Sequence, residues 1–173
     1  MPSGRTHDRI TLYCLPFVIA LSLLATSIEL TVIVSLAFLV GGFMLGPDLD
    51  IHSIQYNRWG PVRWIWLPYQ KALKHRSKLS HGPIIGTALR VVYLAVWIGL
   101  LTILTVELLN AIWDAQITWG SIGTTVRLLL ENYLSAWIAI LAGLELGAIS
   151  HSASDVIGSA LGRKKRRKQK KRR

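Results

Sequence analysis

Residues 84–106 read IIGTALRVVYLAVWIGLLTILTV, and Arg90 is the one charged side chain among them. A helix needs roughly 17–25 predominantly apolar residues to cross a bilayer, and this run has that length and character. Three more stretches resemble it: 12–28 (LYCLPFVIALSLLATSI), 30–46 (LTVIVSLAFLVGGFMLG) and 134–150 (LSAWIAILAGLELGAIS). A soluble amphipathic helix would carry a charged stripe at a period of 3.6 residues, and none of the four does. The expected fold class is therefore all-α, a membrane-embedded bundle of about four transmembrane helices. The first two are separated only by Glu29 and should form a tight hairpin.

The rest of the 173-residue chain fits that frame: 51% of it is hydrophobic and 17% charged, with a mean hydropathy of +0.41. Such a composition disfavours both a soluble globular domain and a disordered chain. The formal net charge is nevertheless +11. Its source is the terminal run 163–173, RKKRRKQKKRR, where all residues but Gln169 are basic. The body, 1–162, is close to neutral and reads as one helical membrane domain followed by a disordered polybasic tail. A basic cluster next to a membrane span gains on the order of 1 kcal/mol per residue against an anionic leaflet. Residues 163–173 thus read as docking on anionic lipid headgroups rather than on nucleic acid.

Short loops rich in Lys and Arg stay on the cytoplasmic side. Arg5 and Arg9 precede the first span, Arg58, Arg63, Lys71, Lys74, Arg76 and Lys78 lie between the second and third, and the tail follows the fourth. Both termini and the middle segment are therefore expected in the cytoplasm, on an inner or plasma membrane. Residues 59–74, with Trp59, Trp64, Trp66 and Tyr69 among basic residues, read as a piece lying in the membrane interface. Residues 107–133 read as its counterpart on the opposite surface. The single Cys14 excludes an intramolecular disulfide and a cysteine-based zinc site.

The five histidines fall in four short motifs: T-H-D (6–8), G-P-D-L-D-I-H (46–52), H-R-S-K-L-S-H-G (75–82) and S-H-S-A-S-D (150–155). Each lies near a cytoplasmic span end. Imidazole and carboxylate groups without thiolate suit a catalytic divalent metal, zinc or manganese first. His151 and Asp155 are four apart and share a helix face. Asp48 and Asp50 alternate after Gly46-Pro47, and in an extended loop both would point to one side, where both reach one metal centre or one bridges two ions. His75 and His81 would stand about 120° apart on an ideal helix, so the helix should break between them, with Ser80, Gly82 and Pro83 supplying the break. The pairs Gly42/Gly46 and Gly143/Gly147 offer close helix approach that would bring the second and fourth motifs together. Asp8 is a candidate orienting partner, Glu145 an ionisable group inside a span, and Arg90 a snorkelling residue. His52 reads as interfacial rather than ligating.

Taken together, PSGRTHDRIT, GPDLDIHS, WIWLPYQK, HRSKLSHGPIIGT and the late H-x-x-x-D resemble an uncharacterised metal-binding membrane protein family, related to the LexA-binding inner-membrane metal-dependent hydrolases. The resemblance covers residues 1–160 and implies a metal site built from His7, Asp48, Asp50, His75, His81, His151 and Asp155. The hydrolase relatives usually carry H-R-G-x-[ST]-H. Here Ser77 replaces the glycine and the second histidine comes one residue later.

Two functions follow as expectations. In the first, a metal-dependent hydrolase acts on a phosphoester or lipid-borne substrate, with Asp50 or Asp155 as general base and Arg76, with Lys78 or Lys74, holding a phosphoryl oxygen. In the second, a non-enzymatic scaffold uses a structural metal to pin the helix ends. A carrier fits less well, because the ligands gather at one surface rather than midway across the bilayer.

Overall fold

The computed structural model describes the backbone of residues 4–170 and the side chains of residues 6–158. Among the described residues there is no strand. Four helices are long and apolar enough to cross a membrane, over Thr6–Ala25, Ile28–Asp50, Ile85–Trp113 and Leu134–Gly158. They match the four expected runs, with ends displaced by several residues because polar residues at the helix ends still complete the backbone hydrogen-bond ladder.

Helix α1 (Gly4–Ala25) turns into α2 (Ile28–Phe43) through two residues. Ser27 caps the second helix, its side chain accepting from Leu30 N at 3.3 Å, so the expected hairpin is present. After α2, Pro47–Asp50 form a 3₁₀ turn, followed by the short α3 (Ile54–Arg58), a 3₁₀ stretch Gly60–Trp66 and α4 (Leu67–Ala72). The one-turn α5 (Lys78–His81) leads into α6 (Ile85–Trp113). Then come α7 (Trp119–Asn132) and α8 (Leu134–Lys170).

The most extensive packing joins α2 to α8, with α1 lying against both. Glycine makes it close: a Cβ on Gly143 would run into Val34 O, one on Gly147 into Phe38 O, and one on Gly41 into Leu144 O. The expected small-residue contact is thus real: Gly147 of α8 lies against the backbone of Gly42 and Gly41 on α2. Gly42 also faces the Thr11 side chain of α1, and Gly46 faces Gln55. By contrast α6 packs mainly at its first turns, leaving Val92, Val96, Leu100, Leu101 and Leu104 exposed.

Residues 59–74 correct the interfacial expectation. Trp66 is fully buried and Tyr69 nearly so, in a cluster with Leu49 and Tyr56 against which Trp59 and Tyr93 pack. Trp66 meets Tyr69 edge to face at 5.5 Å and Trp59 at 5.2 Å, geometries that aromatic quadrupoles favour. Burial pushes the Tyr69 hydroxyl pKa up, and the Arg90 guanidinium partly opposes this. Trp66 and Tyr69 thus anchor the segment to a small core beside the Pro47–Asp50 turn, while Val62, Arg63, Trp64, Leu67 and Lys71 remain exposed.

At the far end, Asn110 closes the 114–118 turn by donating to Ile117 O and accepting from Ile117 N, both at 2.9 Å. Helix α7 sets Trp119, Ile122, Val126 and Leu129 on one face and has no buried residue. The basic run also departs from expectation. Its backbone stays helical to Lys170 as an extension of α8, in keeping with the good helix propensity of Lys and Arg and the absence of Pro or a cap. Residues 171–173, and the side chains from 159 onward, lie outside the described residues.

Candidate metal centre

The Pro47–Asp50 turn decides where the carboxylates go. At three residues per turn, positions two apart point to different sides, so Asp48 and Asp50 do not share a side as an extended loop would have made them. They flank His81 instead. Asp48 Oδ1 lies 3.5 Å from His81 Nε2, and Asp50 Oδ2 lies 3.7 Å from His81 Nδ1. Gln70 from α4 fastens the turn, donating to Leu49 O at 3.1 Å and Ile51 O at 3.0 Å.

The break between His75 and His81 comes earlier than expected. Arg76 takes φ +61°, and Ser77 then caps α5, accepting from Ser80 N at 3.3 Å. A left-handed residue reverses the chain there, which brings both histidines to the same carboxylates. Ile84 also has φ +64°, strained for a β-branched residue. Its N–H donates to Glu145 Oε1 at 2.9 Å. Glu145, from inside α8, therefore serves the otherwise uncapped start of α6. Arg90 does not snorkel: it is 1% exposed and donates to Ser80 O at 2.8 Å and Thr87 Oγ1 at 3.0 Å, tying α6 to α5.

Six of the seven expected ligands fall into two groups whose donor atoms approach within 4.8 Å of one another: buried His7, His151 and Asp155, and half-buried Asp48, His75 and His81. The His7 and His151 rings stack at 3.9 Å, which α1 and α8 permit by packing against each other. His7 Nε2 is 3.4 Å from Asp155 Oδ1, and His151 Nε2 is 3.2 Å from Asp48 Oδ2. Asp50 stands outside both groups. Its side chain is fully buried, with Oδ1 at 2.9 Å from His75 Nδ1, a position that orients the imidazoles. Arg76 sits at the rim, half-exposed, with Nη2 4.0 Å from Asp155 Oδ2. Lys74 and Lys78 are exposed nearby in sequence, and His52 is exposed beside Tyr56.

The residues fit a metal on an independent observation. Asp48 Oδ1, Asp50 Oδ2, His81 Nε2, His151 Nε2 and Asp155 Oδ1 are all buried and have no hydrogen-bond partner. Each such atom costs about 1–3 kcal/mol if left unmet. Five at one place, all nitrogen and oxygen donors, match what a divalent cation of the zinc or manganese type takes.

Three partners of the histidines escaped the sequence reading. Ser154 bonds His7 Nδ1, Ser80 Oγ lies 2.9 Å from His81 Nδ1, and Gln55 Nε2 lies 3.2 Å from His151 Nδ1 while donating to Gly42 O at 2.7 Å. The first two stand within the quoted motifs, so their spacing from the ligands was a usable signal. Nothing in the sequence singles out Gln55. Asp8 does not orient a ligand. It forms a two-pronged pair with Arg58, at 2.6 and 3.0 Å, and Arg58 also donates to Phe43 O at 3.0 Å.

Beside His81 opens a cavity of about 350 Å³, lined by His81, Arg90, Glu145, Ala148, Ile149 and Val156 among others. Its wall is mostly apolar.

A family model described as "Uncharacterized metal-binding protein (DUF2227)" matches residues 2–165. An "Uncharacterized protein" of Aquifex aeolicus (strain VF5) is 37% identical over 60 residues, 34% of this chain and 42% of that protein. The match thus spans less than half of the relative's length. No solved structure matches the chain.

Proposed function

The chain belongs to the family of uncharacterized metal-binding proteins, and from that premise we propose that it is an integral membrane, metal-dependent hydrolase acting on a phosphoester carried by an amphiphilic substrate. The observation that carries the reading is the set of five unpartnered buried donor atoms shared among Asp48, Asp50, His81, His151 and Asp155. His7, Asp48, His75, His81, His151 and Asp155 would hold the metal, zinc or manganese. When bound, a divalent ion supplies Lewis acidity and makes a nucleophile available near neutral pH.

The protein's own groups divide the remaining work. Asp155 is the candidate general base, taking a proton from the attacking water as the new oxygen–phosphorus bond forms. The bond to the leaving alcohol breaks, and its oxygen takes that proton from Asp155. Asp50, fully buried against the imidazoles, is better suited to orienting them than to the base role expected of it. The half-exposed Arg76 guanidinium, 4.0 Å from Asp155 Oδ2, would pair with a phosphoryl oxygen.

Membrane insertion is supported by four sufficiently long apolar helices and by the exposed apolar face of α6. The basic segment between α2 and α6 favours a cytoplasmic face for the His/Asp end, with both termini on that side. The apolar cavity beside His81 favours an amphiphile over a small polar ester. The polybasic run would hold this face to anionic lipid.

Hydrolysis of a soluble phosphoester and of a phospholipid in mixed micelles tests the reading, before and after chelation. Turnover should vanish on chelation and return with manganese or zinc. No turnover of either substrate, or turnover indifferent to chelation, would overturn it. A structural role for the metal is favoured by one fact: the donors come from four separate parts of the chain. It predicts melting, without any turnover, when metal is withdrawn.

A further inference from the structure

We infer that the site holds a pair of ions, with the Asp48 carboxylate shared between them. The inference rests on the metal-binding reading of this site and adds to it the number of ions and the bridging residue. Asp48 turns one oxygen to each group: Oδ1 lies 3.5 Å from His81 Nε2 and Oδ2 lies 3.2 Å from His151 Nε2. A carboxylate aimed at two histidines on opposite sides is placed to bridge.

Donor number points the same way. Zinc takes about four ligands, three from protein in a catalytic site. The two groups present six residues, three on each side. The unpartnered buried atoms are also distributed, with His81 Nε2 on one side, His151 Nε2 and Asp155 Oδ1 on the other, and Asp48 Oδ1 in between. The six residues together exceed the four ligands that zinc takes.

The imidazoles are set for it. Ser154 Oγ donates to His151 O at 2.8 Å, so it accepts from His7 Nδ1 and leaves the Nε2 lone pair of His7 free. Ser80 Oγ donates to Ser77 O at 3.3 Å and does the same for His81. The Asp50 carboxylate can only accept from His75 Nδ1, which leaves that Nε2 free as well. Such partners fix both tautomer and ring orientation in metal sites. His151 is the exception, because the Gln55 amide donates both to Gly42 O and toward His151 Nδ1. Ligation by His151 Nε2 requires that amide to turn, which gives up its bond to Gly42 O and brings the buried, unpartnered Oε1 onto Nδ1.

The two sites differ in access. His7, His151 and Asp155 are buried, whereas Asp48, His75 and His81 are half-buried and His81 lines the cavity. The second ion is the exchangeable one, next to the space a substrate would enter.

The test is manganese stoichiometry by mass spectrometry, together with electron paramagnetic resonance, on the full chain in detergent. The wild type should carry about two ions per chain and show the spectrum of an exchange-coupled pair. His75→Ala and His7→Ala should each fall to about one ion with an isolated-manganese spectrum, with circular dichroism reporting whether the variant folds. One ion per chain at saturation, or two without coupling, overturns the shared pair. The wild-type measurement decides this even if both variants unfold. A single ion leaves the hydrolase reading standing, a coupled pair without turnover defeats only the hydrolase reading, and no ion at all defeats both.

Discussion

The two ends of the helical body treat their polar groups in opposite ways. At the far end, Asn110 satisfies its own turn and Arg127 pairs with Glu131 at 2.7 Å in the open, so these polar groups answer to near neighbours in sequence. At the other end, His7 meets Asp155, Asp48 meets His151, and Asp8 meets Arg58, all across long stretches of chain. Polar groups that could be satisfied locally cost little and say little. Those brought together from afar, buried and left with unpartnered atoms are costly unless something binds them. The contrast locates function without reference to any relative.

That contrast can be broken most severely at Asp48. Asp48→Ala removes the residue that touches both ligand groups, and bound metal and any hydrolysis should fall to background, read by elemental analysis and phosphate release. Next comes the aromatic core beneath the turn. Trp66→Ala should cost about 3–5 kcal/mol, as expected for a large buried aromatic, measured by denaturation in detergent. Gly147→Val would press on Phe38 O and part α2 from α8, costing about 1–3 kcal/mol in stability and weakening metal retention in parallel. Ser154→Ala sharpens the comparison: metal affinity should drop about 10–100-fold at the His7 group alone, visible as loss of one class of site in a titration. The smallest effect belongs to the far end. Arg127→Ala should change stability by no more than about 0.5 kcal/mol and leave metal content unchanged.

Much of this was readable in the chain. The spans declare themselves through long apolar runs, and His151 and Asp155 through helical spacing, because both signals are local. The turn at Pro47–Asp50 was misread because an alternating D-L-D pattern looks extended, while its 3₁₀ form is imposed by Gln70 and the packing of Leu49. Trp66 and Tyr69 look interfacial by composition, and only the tertiary packing of Tyr93 and Leu49 against them shows a core. Arg90 has the snorkelling pattern, yet the backbone of α5 offers Ser80 O at hydrogen-bond distance. Gln55 could not have been found, since its role depends on two partners 13 and 96 residues away.

The hydrogen bond between His7 and Ser154 spans 147 residues. It joins the first helix to the last, so the group around His7 cannot form until α8 is in place. Until then, His7 lacks both of the residues it is grouped with, His151 and Asp155. Loading of the His7 group is therefore a report on completed assembly: a chain halted before α8 keeps three of the four apolar segments and Asp48, His75 and His81, but lacks the His151 and Asp155 that complete the buried group.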